Sequence, residues 1–238
     1  MNMIKRNKTR NLKFTAGVNP YVAGSVIAEC GRTKIYVTAV IEESVPPFLN
    51  ESNQGWVTAE YSMLPASTHS RATRERGKPK GRTMEIQRLI GRSLRSIVDL
   101  KKLGKRSILI DCDVLVADGG TRTLSVSAGF IVLKMAIDKL LSSKKISSSP
   151  LRESLAATSV GINEKGDVLA DLDYTEDSSC STDMNIVMTE SGKLVEIQGT
   201  AEKHPFSKKQ LDAMLDCASM AMKDIFSEQK KVLSQWKS

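Results

Sequence analysis

Residues 116–141 read VADGGTRTLSVSAGFIVLKMAIDKLL. Ahead of this stretch Ile108, Ile110, Cys112, Val114 and Val116 alternate with Asp111 and Asp113. A period of two with opposite faces predicts a strand over residues 107–118. Behind it residues 124–141 are apolar around most of a helical circumference, which predicts a helix buried in the middle of a fold. The joint is Gly119-Gly120-Thr121-Arg122. Paired glycines let the backbone turn where a Cβ would resist. Successive N–H groups and a helix N-terminus can then converge on an anion, with threonine hydroxyls and an arginine fork beside them. The Lys-Ser/Thr ending of a Walker A loop is missing. An ordinary tight turn between strand and helix would use the same glycines.

Before this unit, 83–104 places Ile86, Leu89, Ile90, Leu94, Ile97 and Val98 at spacings of three and four. One helix is expected there, stopped by Gly104. It follows residues 66–82, ASTHSRATRERGKPKGR, with six basic residues and one acid. That composition predicts a mobile basic loop. Arg82 ends it, where an arginine either reaches an anion at a neighbouring helix end or stands solvated on the surface. Strands are expected over 25–30 and 33–41, joined by GRTK as a hairpin, and over 55–64.

Residues 142–150, SSKKISSSP, are a polar break between two halves. Strands return over 155–163 and 167–173 around EKG, and over 185–190 and 193–198 around SG. A last helix starts near Ser207, where S-K-K-Q resembles a capping box. After Phe226 the tail is either helix or frayed, and Trp236 either docks or hangs free. Each half is hairpins followed by helix, a hint of internal duplication within an α+β fold.

The chain has 238 residues, 40% hydrophobic and 26% charged. That suits one large globular domain or two intimately packed halves. A net charge of +8 favours polyanionic partners. The four cysteines, Cys30, Cys112, Cys180 and Cys217, form no CxxC pair. They suggest neither a disulfide framework nor a zinc site, and fit a reducing compartment, the cytoplasm. No secretory leader is expected, because the basic start lacks an apolar h-region. No apolar run is long enough to cross a membrane.

The stretch DLDYTEDSSCSTDMN holds five acids: Asp171, Asp173, Glu176, Asp177 and Asp183. Such a group can hold Mg²⁺ or act as general acid, and a solvated acidic loop would have the same composition. Anion cradle, arginines and carboxylates together are the inventory for phosphoryl transfer. His69 and His204 have no evident nucleophile partner, so no Ser/His/Asp set competes.

Five blocks in order resemble the ribonuclease PH family of phosphate-dependent 3′-to-5′ exoribonucleases: NQGWVTAEYSMLP, GRTMEIQRLIGRSLR, DCDVLVADGGTRT, DLDYTEDSSCSTDMN and VEIQGTAE. The resemblance covers nearly the whole chain. It implies two similar βαβ-containing halves like the second domain of ribosomal protein S5, forming a single catalytic domain over 1–238. It implies a homohexamer, a trimer of dimers, with RNA 3′ ends entering basic clefts. Inorganic phosphate is then the co-substrate, held by Arg82 and by Gly120, Thr121 and Arg122. Asp177 and Asp183 are implied in Mg²⁺ binding and acid catalysis. Arg71, Arg74 and Arg76 are implied to grip RNA. The proton donor is left open between a carboxyl and a metal-bound water. One departure is Ala66, where the family often has arginine; this puts one RNA contact in question.

The implied substrates are transfer RNA precursors and other RNAs, releasing nucleoside diphosphates, with 3′ addition as the reverse. Three rivals stand beside this reading. One is an inactive ring subunit that holds RNA. The second is a hydrolytic, phosphate-independent nuclease. The third is a basic scaffold that only contacts RNA.

Overall fold

The structure is a computed structural model that describes residues 3–75, 77 and 79–236. Two five-stranded sheets sandwich one helix. The first sheet has the order β2-β3-β4-β6-β5, built from β2 (Leu12–Ala16), β3 (Gly24–Cys30), β4 (Thr33–Glu42), β5 (Trp56–Met63) and β6 (Ser107–Val116). The second has the order β1-β8-β7-β9-β10, built from β1 (Ile4–Arg6), β7 (Leu155–Ile162), β8 (Val168–Ala170), β9 (Thr182–Thr189) and β10 (Leu194–Ala201).

Each half contains a βαβ crossover. In the first, β5 and β6 pair in parallel across α1 (Gly81–Ser96). In the second, β8 and β9 both run antiparallel to β7, which lies between them, and are joined by the short α4 (Tyr174–Ser179). The halves are not sealed off from each other. The first strand of the chain, β1, pairs in parallel with β8 of the second sheet, and β2 joins the first. Among the described residues no helix is long and apolar enough to cross a membrane.

The central helix is α3 (Thr121–Ser142), packed against β3, β4 and β6 on one side and β7 on the other. Burial on all sides explains its uniform apolarity. Its serines are not exceptions. Ser127 Oγ accepts from Ala157 N at 3.0 Å and donates to Ala157 O at 3.1 Å, satisfying backbone groups of β7. Ser125 donates to Thr121 O within the helix. A buried polar group with a partner is tolerated where an unpaired one is not. The final helix, α5 (Lys208–Gln235), covers the second sheet, and its buried Gln229 donates to Ser127 O and Leu155 O.

Several expectations change in detail. The helix expected over 83–104 begins two residues early, so Arg82 lies inside α1. It also ends early: Ile97 and Val98 leave it, Val98 bridging to Leu151. Asp99 then caps a separate turn, α2 (Leu100–Leu103), accepting from Lys101 N and Lys102 N. Alternation in β6 fails at Val116, which is exposed, because the register with β4 slips there. The β3–β4 hairpin turns on Gly31 and Arg32 alone. Strands β1 and β2 and helix α4 were not expected. The tail is helical to Gln235, and Trp236 lies against Gly17. The Ser207–Gln210 capping box is present as expected.

Candidate active site

The glycines of the joint have a specific cause. Gly119 has φ +75, and a Cβ there would lie 2.4 Å from Leu172 O and 2.6 Å from Asp173 C. The joint is pressed against backbone of the second half, at the entrance to α4. Gly120 is left-handed at φ 65 and is the N-cap of α3, without a side-chain capping bond. No side chain therefore caps the first N–H groups of this long buried helix. Thr33 fastens the turn from below: its hydroxyl donates to Gly119 O at 2.7 Å and accepts from Asp118 N at 3.0 Å. Buried Tyr61, on β5, donates to Thr121 Oγ1 at 2.9 Å.

Around this turn opens a polar cleft of about 1110 Å³. Its walls include Arg82 from α1, Gly120, Thr121 and Arg122 from the joint, Asp177 from α4 and Asp183 from β9. Six positions from four elements and both halves therefore share one cavity. Arg82 and Arg122 both exert a field on Asp177. Arg122 also pairs with Glu85 of α1, Nη1 to Oε1 at 3.1 Å. Glu85 lies one turn beyond Arg82, and that spacing was a readable signal for it.

The five acids of 171–183 separate cleanly. Asp171 is buried and bidentate with Arg10. Asp173 caps α4, and Glu176 completes that capping box while pairing with Arg6. These three are structural. The carboxyls of Asp177 and Asp183 accept no hydrogen bond from another described residue. Burial pushes the Asp177 carboxyl above the usual carboxylate range, against the pull of Arg122 and Arg82. Burial, then Asp177, then Glu202 raise Asp183. Glu202 lies on the same cleft wall and was not anticipated. Two such oxygen donors suit a hard cation that keeps much of its water. Among the described residues no set of three or more His, Cys, Asp and Glu makes a closed metal cage.

The loop arginines stand elsewhere. Arg71 and Arg74 are exposed and do not line the cleft; Arg74 acts on Asp113, outside it. Arg76 lies outside the described residues. All four cysteines are buried and free, and burial raises each thiol. Cys180 alone of them borders the cleft.

A glycine turn with two arginines shares one cleft with two carboxylates from the other half, an arrangement that suits a class: a phosphoryl-transfer enzyme whose site draws on both halves. Comparison with known proteins narrows it. Residues 8–137 match domain 1, and residues 154–221 match domain 2, of the 3′ exoribonuclease family. Ribonuclease PH of Neisseria meningitidis is 55% identical over 227 residues, covering 94% of this chain and 93% of that protein. Ribonuclease PH of Neisseria gonorrhoeae is 53% identical over the same shares. Among solved structures, rice Rrp46 superimposes with a TM-score of 0.78 at 15% identity, covering 96% and 97% of the two chains. A chain of the Archaeoglobus fulgidus exosome with RNA bound to the active site gives 0.73 at 20% identity, covering 97% and 90%. These last two speak to the fold. The chain belongs to the 3′ exoribonuclease family, with ribonuclease PH as its kind. Membership carries the activity: phosphorolytic 3′-to-5′ exoribonuclease action, with nucleotidyl transfer as its reverse.

Proposed function

We propose that the chain trims 3′ ends of transfer RNA precursors in the cytoplasm, as a homohexamer whose protomers are each one catalytic domain. The residue assignment rests on one observation: Arg82, Gly120, Thr121, Arg122, Asp177 and Asp183 converge on a single cleft. Arg82 and Arg122 would clamp inorganic phosphate, with backbone N–H groups at the head of α3 beneath it. Clamping fixes the attacking oxygen in line with the terminal phosphodiester and removes its freedom before reaction. A bond forms from that oxygen to phosphorus. The bond to the 3′ oxygen of the preceding nucleotide breaks, that oxygen takes up a proton, and a nucleoside diphosphate leaves. Glu85 would have to share Arg122 with the incoming anion.

Asp177 and Asp183 would hold Mg²⁺, which when bound supplies positive charge to the transferring phosphoryl group. Arg71 and Arg74, outside the cleft, and Arg76 would contact the RNA backbone, where salt competes with them. Ala66 supplies no charge there.

The test is product identity. The protein and Mg²⁺ are incubated with a transfer RNA precursor bearing a short 3′ extension, with and without inorganic phosphate. Nucleoside diphosphates formed only with phosphate are expected. Monophosphates formed without it would instead mark a hydrolase, and tight binding with no release would mark an RNA-holding subunit.

A further inference from the structure

The cradle belongs to the first half and the carboxylates to the second. Besides the core around α3, which packs on both sheets, a residue between β1 and β2 ties them together. Arg10 Nη1 donates to Asp118 O at 2.6 Å, one residue before the glycine turn. Its Nε and Nη2 donate to Asp171 Oδ2 and Oδ1 at 3.0 and 2.9 Å. Its backbone N donates to Asp171 Oδ2 at 2.7 Å. The guanidinium passes directly behind the cradle, because a Cβ on Gly120 would lie 3.3 Å from Arg10 Nη2.

Both partners are largely out of water, with side chains 14% and 7% exposed. Asp171 is held at φ +54, a left-handed conformation that a non-glycine residue keeps only when its surroundings impose it. Burial acts to raise the Asp171 carboxyl, but Arg10 outweighs it and holds the carboxyl below the usual range. Cys30 Sγ donates to the same oxygen, Oδ2, at 3.1 Å. Asp171 opens the corner that leads through Asp173, the cap of α4, to Asp177. One planar fork thus joins the carbonyl before the cradle to the corner that carries a catalytic carboxylate.

We propose that Arg10 is a positioning residue for phosphorolysis: with Asp171 it sets the distance between the phosphate cradle and the Asp177–Asp183 wall. It touches neither phosphate nor RNA. The proposal rests on the assignment of phosphate to the Arg82–Arg122 cradle. Lysine cannot replace Arg10, since a single ammonium cannot span the carbonyl and both carboxylate oxygens in one plane.

The test compares Arg10→Lys, Asp171→Asn and Arg95→Gln by phosphorolysis of an RNA with a single-stranded 3′ end, varying phosphate and RNA separately. Arg95 is a control lesion of similar kind: a half-buried arginine over Trp56, bonded to Val57 O, away from the cleft. Arg10→Lys is expected to raise KM for phosphate about tenfold and to lower kcat, with KM for RNA within about twofold. Arg95→Gln should lower the thermal midpoint yet leave both phosphate parameters within about twofold. Asp171→Asn should reproduce the phosphate defect, and combining it with Arg10→Lys should add little, as expected of one coupled unit.

Wild-type phosphate kinetics in Arg10→Lys would overturn the proposal, as would the same defect in Arg95→Gln. If Arg10→Lys does not fold, Asp171→Asn decides alone. Arg122→Ala, run in parallel, separates the two readings: if it leaves phosphate kinetics intact, the cradle assignment fails rather than the lock.

Discussion

Arginines gather in two regions of this molecule, and the two are built in opposite ways. At the head of α3, Arg122 is 80% covered and pairs with Glu85, on a turn fastened by Thr33, Tyr61 and Arg10. In the loop over 65–80, Arg71 and Arg74 are exposed and make no hydrogen bond or ion pair among the described residues. That loop is tied by a few bonds, such as Ala72 N to Pro65 O and Lys80 N to Glu75. Under the proposed function the difference has a reason: a catalytic donor works best held where charge develops, whereas gripping a flexible strand requires charge without fixed geometry.

The largest expected effect sharpens this contrast. Arg122→Ala should lower kcat/KM for phosphate by roughly 10²–10³-fold, with fold and assembly unchanged by circular dichroism and sedimentation. Loss of assembly would instead make Arg122 a structural residue. Gly119→Ala attacks the fastening. With a positive φ and a carbonyl 2.4 Å from the new Cβ, it should cost roughly 2–4 kcal/mol in urea unfolding. A neutral result would mean the joint is looser than described.

Arg71→Ala with Arg74→Ala should weaken RNA binding at low salt and flatten the slope of log K against log salt by about 0.7 for each lost phosphate contact. The phosphate KM should not move; a shift there would break the division between the two regions. Ser207→Ala, at the cap of α5 and not in the cleft lining, should cost about 1 kcal/mol in stability and leave kcat unchanged.

Legibility followed the range of the interactions. The apolar stripe of α1, the alternation of β6 and the capping box at Ser207 are local; the strand and the box were read to within a few residues, while the helix expected to Gly104 stops at Ser96. Helix α4 was missed although Asp173 and Glu176 have the spacing of a capping box. Six polar residues without an apolar stripe carry no periodicity to reveal them. Strand β1 was missed for a different reason: three residues become a strand only by pairing with β8, more than 160 positions away.

By itself the sequence determined most of the longer elements, the buried character of α3, the glycine turn and, through five motifs, the family. Composition could not sort five acids within thirteen residues. Only the tertiary structure did, because a carboxylate's role is set by what folds against it. Asp171 meets Arg10, Glu176 meets Arg6, and Asp173 turns back on its own helix. Asp177 and Asp183 are left facing two arginines across a cleft that neither half of the chain could form alone.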